Sequence, residues 1–79
     1  MTIFLRAGGQ LRARLKPDID YYTRKVEIDG EKTVGEILKV ISLDPAYVAL
    51  IHVDGKMKDL SYKPSNGQTI TLQPPVSGG

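Results

Sequence analysis

The chain has 79 residues, a formal net charge of +2 and a hydrophobic fraction of 41%, which is typical of one folded domain and not of a disordered segment. It contains no cysteine and one histidine, which excludes disulfide bonds, thiolate metal sites and the usual zinc sites. The small charge, the lack of a basic motif flanked by aromatic residues and the lack of a long apolar run argue against nucleic-acid or membrane binding, so we expect a cytoplasmic protein.

The first predicted strand is "TIFLR" (2–6), which is rich in β-branched and apolar residues and is followed by a pair of glycines. The next segment, "QLRARLK" (10–16), is ambiguous. Its apolar residues alternate with basic ones as in a strand, but Leu11 and Leu15 are also four apart, which suits a short helix ended by Pro17. Periodicity alone does not decide between the two.

A second strand is predicted in "YYTRKVEID" (21–29), where Tyr22, Val26 and Ile28 would share the buried face. The clearest helix follows in "TVGEILKVIS" (33–42). Thr33 and Glu36 have the spacing of a capping box, and the apolar residues after them recur at the helical period.

Three strands are predicted in the C-terminal half of the chain. "YVALIHV" (47–53) is apolar on both faces, so we expect a central strand under the helix. The Asp54-Gly55 pair predicts a tight turn into the short polar "KMKD", and the Asn66-Gly67 turn leads into "QTITLQ" (68–73). We predict an α+β, β-grasp roll with a mixed sheet of four to five strands and one main helix, in which the first and last strands lie parallel at the centre.

The chain ends in "PPVSGG" (74–79). Pro74 and Pro75 have a fixed φ and no amide hydrogen, so they should end the last strand and project the chain outward. Val76 offers one apolar contact, and Ser77, Gly78 and Gly79 form a thin thread that could enter a narrow passage. We therefore divide the chain into a β-grasp domain, 1–73, and a C-terminal tail, 74–79. A frayed terminus without a role is the alternative.

With these motifs the chain resembles the ubiquitin-like sulfur-carrier family, the MoaD and ThiS proteins of molybdopterin and thiazole synthesis. The resemblance rests on "NGQTITLQPPVSGG", "KTVGEILKVI" and "IHVDGKMKD". The "PPVSGG" ending is most similar to the small subunit of molybdopterin synthase. The resemblance also favours the helical reading of "QLRARLK".

The resemblance implies a carrier and not an enzyme. The Gly79 carboxylate would be adenylated by a ubiquitin-activating-type enzyme that uses ATP, and sulfide or a persulfide donor would then convert it to a thiocarboxylate. Gly78 would share the reacting tail, and residues 74–77 would position the tail and bind partners. A larger molybdopterin synthase subunit would receive the sulfur. No cofactor or metal bound to the chain itself is expected.

Alternatives to the molybdopterin carrier are a thiazole carrier, a ubiquitin-like modifier conjugated through Gly79, and a β-grasp interaction domain with an idle tail. His52 is interpreted as a sheet residue, because the sequence offers no Ser, Cys or paired carboxylate motif to act with it. The basic cluster Arg12, Arg14 and Lys16 is interpreted as a solvated surface. Tyr21 and Tyr22 have no role predicted from the sequence.

Overall fold

The computed structural model of the protein describes residues 1–75, which form a five-stranded mixed sheet with two α-helices. The strands are β1 (Thr2–Ala7), β2 (Thr23–Glu27), β3 (Leu50–Val53), β4 (Lys56–Lys58) and β5 (Thr69–Gln73); the helices are α1 (Gly9–Leu15), α2 (Val34–Val40) and a 3-10 helix, Pro45–Tyr47. None of the helices formed by residues 1–75 has the length and apolar character needed to cross a membrane.

The strands lie side by side in the order β2-β1-β5-β3-β4. β1 and β5 are parallel, with Leu5 opposite Ile70, and every other neighbouring pair is antiparallel. The prediction that the first and last strands lie parallel at the centre of the sheet is confirmed. This is the β-grasp arrangement.

One face of the sheet packs against the helices and forms the core. Along β1 and β5 every second side chain points into this face, as the period of a strand requires. Burial of each large aliphatic side chain contributes roughly 1.5–3 kcal/mol, so a core of this size is the main stabilising contribution in a chain without disulfides. The buried apolar residues are Ile3, Leu5, Ala7, Leu11, Leu15, Val26, Ile28, Val34, Ile37, Leu38, Leu43, Ile51, Val53, Ile70 and Leu72.

Helix α2 begins with the predicted capping box. The Thr33 hydroxyl accepts a hydrogen bond from the Glu36 amide at 3.1 Å, and the Glu36 carboxylate accepts one from the Thr33 amide at 2.9 Å. The helix ends at Val40, before the predicted end at Ser42, because Ser42 adopts a left-handed φ of 60°. The predicted apolar stripe is confirmed, since it faces the core.

The ambiguous segment after the first strand is helical, as the resemblance favoured. Leu11 and Leu15 of α1 are both buried. The helix ends where Lys16 adopts a left-handed φ of 58°. The guanidinium of Arg24, on β2, donates a hydrogen bond to the Leu15 carbonyl at 3.1 Å, so a side chain of the second strand caps the first helix.

The prediction that Tyr22 is buried beside Val26 is wrong. Tyr22 is 42% exposed and Thr23 is buried in its place. β2 begins only at Thr23, because the loop before it folds over this residue. The Asp18 and Ile19 amides both donate to the Thr23 carbonyl at 3.0 Å. The strand alternation assumed for the segment 21–29 therefore does not extend back to Tyr22.

The third predicted strand is shorter and less central than expected. Tyr47 belongs to the 3-10 helix, whose first turn is capped by the Asp44 carboxylate accepting from the Ala46 amide at 2.9 Å. Only Leu50–Val53 pair as β3, and Leu50 is exposed. β3 lies between β5 and the edge strand β4, so β5 and not β3 occupies the middle of the sheet.

Candidate functional site

The candidate site is the end of β5, from which the predicted tail continues. Gln73 is the last paired residue: it lies opposite Leu50, and its carbonyl accepts from the Ala49 amide at 2.8 Å. Pro74 and Pro75 follow and are exposed. Neither proline has an amide hydrogen to continue the ladder, so pairing ends where the sequence predicted.

The other residues predicted for the site are Val76, Ser77, Gly78 and Gly79, and they lie outside the described residues. The division of the chain at residue 73 and the positioning role of Pro74 and Pro75 stay predictions. The structure does show what surrounds the two prolines, and this surrounding surface was not predicted.

A groove of about 230 Å³ lies on the α1 side of the prolines. Pro74 and Pro75 form part of its lining together with Leu11, Arg14 and Tyr47. The Arg14 guanidinium lies 3.7 Å from the centroid of the Tyr47 ring, which is a cation–π stack. The 3-10 helix positions Tyr47 for this contact, so the segment mispredicted as strand contributes one wall of the site.

A second groove, of about 430 Å³, lies on the other side of Pro74, which lines it together with Arg6, Gly8 and Tyr22. The Arg6 guanidinium lies 5.4 Å from the centroid of the Tyr22 ring. Tyr22 also packs close to Gly8, where an added Cβ would come 3.8 Å from the ring. The exposed position of Tyr22 therefore has a structural use: its ring supports Arg6 beside the base of the tail.

A third pair continues this surface around α1. The Arg12 guanidinium lies 3.9 Å from the Tyr21 ring centroid, and the Tyr21 and Tyr22 rings meet edge to face at 4.8 Å. We name the three pairs together the arginine–tyrosine cluster; its members are Arg6, Arg12, Arg14, Tyr21, Tyr22 and Tyr47.

Sequence reasoning missed this cluster. Arg12 and Arg14 were interpreted as part of a solvated basic surface, because their ring partners come from other segments of the chain. The ring partner of Arg14 belongs to the 3-10 helix after α2, and the ring partner of Arg12 to the loop before β2. The only signal in the sequence is the unexplained Tyr21-Tyr22 pair, which gives no indication of its partners.

The sheet face opposite the core is the other exposed surface. His52 lies there on β3 between Thr71 of β5 and Met57 of β4, and Met57 is 64% exposed. His52 lies in the sheet, as predicted, and is half-buried. Within residues 1–75 no three His, Asp or Glu side chains are grouped closely enough to hold a metal ion.

The carboxylates with a lowered pKa serve turns and a helix cap. The Tyr22 amide lowers the pKa of Asp20, with further contributions from Thr23 and from the nearby Arg6. The Ser61 hydroxyl and then the Ser61 amide lower the pKa of Asp59. In both cases the hydrogen bonds favour the ionised form, as expected for a turn. The hydrogen bonds that lower these pKa values stabilise loops. Asp20 and Asp59 therefore have a structural role and are not an acid–base pair.

Comparison with known proteins identifies the fold. No protein-family model matches the chain, and no curated protein sequence matches it. Among solved structures, the crystal structure of SAMP1 from Haloferax volcanii is similar to the whole chain, with a TM-score of 0.72 and 22% identity over 100% of both chains. At this level of identity the likeness shows the fold alone. The chain has a ubiquitin-like β-grasp fold.

Proposed function

We propose that the protein is a carrier that works through the carboxylate of Gly79, and that it carries sulfur for molybdopterin synthesis. One observation supports this most directly. The central strand of a ubiquitin-like sheet, β5, runs straight into an exposed Pro74-Pro75 pair, and the remaining sequence is "VSGG". A rigid core thus leads into a short side-chain-poor segment that a partner enzyme could admit into a narrow passage.

The proposed chemistry has two steps. A carboxylate oxygen of Gly79 attacks the α-phosphorus of ATP, and pyrophosphate leaves to give an acyl-adenylate. Sulfide then attacks the carbonyl carbon, the bond to the AMP oxygen breaks, and AMP leaves with the electron pair. The product is a thiocarboxylate on Gly79. With a persulfide donor the first product is an acyl disulfide, and a second thiol must reduce it to release the thiocarboxylate.

In this proposal the partners supply catalysis and the carrier supplies the reacting carboxylate and a docking surface. An adenylating enzyme of the ubiquitin-activating type would bind the carrier and use the ATP. A larger molybdopterin synthase subunit would take the loaded tail and transfer its sulfur to the pterin precursor. The resemblance of "PPVSGG" to the molybdopterin synthase small subunit supports this acceptor over the thiazole pathway.

A protein modifier is the second candidate, since the ubiquitin-like fold and the exposed Pro74-Pro75 pair before the tail support it equally. In a modifier the activated carbonyl of Gly79 is attacked by the ε-amine of a lysine on a target protein. The leaving group departs and an isopeptide bond forms. Both candidates share the tail and the adenylation step, and they differ in whether sulfur or an amine is the acceptor.

The test is intact-mass spectrometry after incubation with an adenylating enzyme, ATP and sulfide. We expect a mass gain equal to the replacement of one oxygen by sulfur, located at Gly79 by fragmentation. A chain lacking Gly79 is the control and should show no gain. Conjugates to lysines of added proteins, without a thiocarboxylate, would favour the modifier. Failure to form either product or an adenylate, with several enzymes that activate their own carriers, would overturn the proposal.

A further inference from the structure

We propose that the arginine–tyrosine cluster is a docking surface for a carboxylate-rich segment of the protein that takes the tail. The proposal rests on the proposed function for one point only, namely that a partner binds the tail. It adds the chemistry of that partner: aspartate and glutamate side chains at the mouth of the passage that the tail enters. Neither the fold nor the Gly-Gly ending specifies this.

The first support is the position of the arginines. Arg6 and Arg14 line the two grooves that share Pro74, so one guanidinium lies on each side of the base of the tail. A partner that encloses residues after Pro75 must approach this end of the sheet. Its rim would then lie against both guanidinium groups, and Arg12 extends the same positive surface around α1.

The second support is that the guanidinium groups are held against tyrosine rings at the surface, where Arg6 and Arg14 are exposed and Arg12 is half-buried. Arg12 and Arg14 stack on tyrosine rings at 3.9 Å and 3.7 Å, and Arg6 lies at 5.4 Å from its ring. Stacking on a ring face limits the rotamers of the side chain but leaves the N–H groups at the edge of the guanidinium plane for a bidentate partner. Less conformational entropy is lost when such an arginine binds a carboxylate.

The third support is that these charges are not neutralised within the described part of the chain. The ion pairs formed among residues 1–75 are Lys25–Glu27 and Lys63–Glu31, and neither involves an arginine. The Asp20 carboxylate accepts from the Tyr22 amide and stays ionised near Arg6, so it partly offsets that charge. The excess positive charge of the cluster therefore rests mainly on Arg12 and Arg14, which form no ion pair among residues 1–75. The surface around Pro74 therefore carries positive charge that a carboxylate-bearing partner would complement.

The reach of the tail indicates that the anion belongs to the partner protein and not to ATP. An extended chain covers roughly 17 Å from Pro74 to Gly79, at about 3.3–3.6 Å per residue. A nucleotide bonded to Gly79 inside a narrow passage would therefore lie beyond the side chains of Arg6 and Arg14. The net charge of only +2 also argues against nucleic acid as the occupant, since nucleic-acid-binding domains usually carry a larger basic surface.

An NMR titration of the isotope-labelled full chain tests the proposal without a known partner. The probes are a short peptide alternating glutamate and glycine, the corresponding lysine peptide, ATP and a single-stranded oligonucleotide. We expect the acidic peptide to shift the Nε–H signals of Arg6, Arg12 and Arg14, and high salt to abolish the shifts. Equal shifts at Lys56 and Lys58, or no shifts at the arginines, would overturn the proposal, and so would tighter binding of ATP or the oligonucleotide.

Charge reversal provides the second measurement. The double variant Arg6→Glu/Arg14→Glu should weaken binding of the acidic peptide by about tenfold, since two exposed charge pairs are replaced by repulsion. Arg6→Lys/Arg14→Lys keeps the charge but loses the planar fork, so an intermediate loss is expected. Lys56→Glu/Lys58→Glu is the control matched in net charge, because both residues lie on β4 and Lys56 is at the far end of the sheet from Gln73. An equal effect of this control would show that only net charge matters and would overturn the proposal.

Activation kinetics separate this proposal from the proposed function. With an adenylating enzyme that accepts the wild-type chain, the double charge reversal should raise KM for the carrier about tenfold. The kcat value should not change, because a tail extended into the enzyme would carry the reacting carboxylate beyond the arginine side chains. An unchanged KM would overturn the docking surface while leaving the carrier function intact. If no enzyme activates the wild-type chain, the proposed function fails, and the NMR titration still decides whether the surface binds carboxylates.

Discussion

Thr33 and Glu36 hold the first turn of α2 through reciprocal hydrogen bonds. The hydrogen bond from the Thr33 amide, and then the nearby Thr33 hydroxyl, lower the pKa of the Glu36 carboxyl from its ordinary value of 4.5. Since the pKa is lower in the folded protein than in the unfolded chain, ionised Glu36 stabilises the fold. This stabilisation is complete at pH values above 4.5 and is lost as the pH falls through the lowered pKa.

Replacement of Glu36 by glutamine tests whether the ionised carboxylate stabilises the fold. We expect Glu36→Gln to be less stable than wild type at neutral pH, because a neutral amide is a weaker acceptor at a helix N-terminus. The difference should shrink as the pH falls through the lowered pKa, where wild-type Glu36 is itself protonated. Urea unfolding at a series of pH values measures the difference directly.

Asp29→Asn is the matched control for this change. Asp29 is exposed and takes part in neither of the ion pairs formed among residues 1–75. Its replacement removes the same charge without removing a cap, so its effect on stability should be small at every pH. A pH-independent difference between wild type and Glu36→Gln would show that the carboxylate charge does not contribute to the cap.

At the scale of elements, several of the short strands and helices end at turns in which a residue has a left-handed φ. The β3–β4 hairpin turns through Asp54 and Gly55, with φ values of 54° and 77°. Two successive positive φ values are the signature of the turn that matches the twist of a two-residue hairpin. Gly55 is therefore needed for its backbone conformation, since an added Cβ there would contact nothing within 4 Å.

Two glycine-to-alanine changes should consequently have opposite signs. Gly55→Ala should lower the free energy of unfolding by about 1–2 kcal/mol, the cost of a left-handed conformation for a residue with a Cβ. Gly35→Ala, inside α2, should raise it by about 0.5–1 kcal/mol, because alanine loses less backbone entropy in a helix. The new methyl group at residue 35 would meet the Leu60 carbonyl at 3.5 Å, an ordinary contact. Chemical denaturation of both variants checks the pair; destabilisation by both would mean that the space beside Leu60 is too tight.

The elements that the sequence predicted correctly are those whose signals are local. The capping box of α2, the Asp54-Gly55 turn and the alternation of "QTITLQ" depend on residues a few positions apart, and each was confirmed. The errors occur where tertiary contacts override the local pattern. Tyr22 lies outside the strand because the preceding loop folds over Thr23, and Tyr47 lies in a 3-10 helix because Asp44 caps it.

At the scale of the whole molecule, topology was predictable and the surface around the tail was not. Two apolar strands at the ends of the chain, with a capped helix between them, favour a sheet with those strands at its centre. The arginine–tyrosine cluster instead joins β1, α1, the loop before β2 and the 3-10 helix. Its pairs depend on how these elements meet in space, and a single sequence does not specify this.

The position of β5 also determines which part of the C-terminal segment the fold needs. β5 is paired on both sides, with β1 and with β3, and its inward side chains Ile70 and Leu72 are fully buried. Gln73 is the last residue of this ladder, and Pro74 and Pro75 are exposed. The contribution of β5 to the sheet is thus complete before the prolines begin.

Two truncations should therefore have very different effects. A chain that ends at Pro75 should unfold cooperatively with a free energy of unfolding within about 0.5 kcal/mol of wild type, the usual range for changes outside the core, and it should not be activated by an adenylating enzyme. A chain that ends at Ile70 loses Leu72 and the last pairs with β1 and β3, so it should show no cooperative transition. Thermal unfolding followed by circular dichroism distinguishes the two. A large loss of stability in the chain that ends at Pro75 would mean that residues 76–79 belong to the folded domain, and the division of the chain at residue 73 would then be wrong.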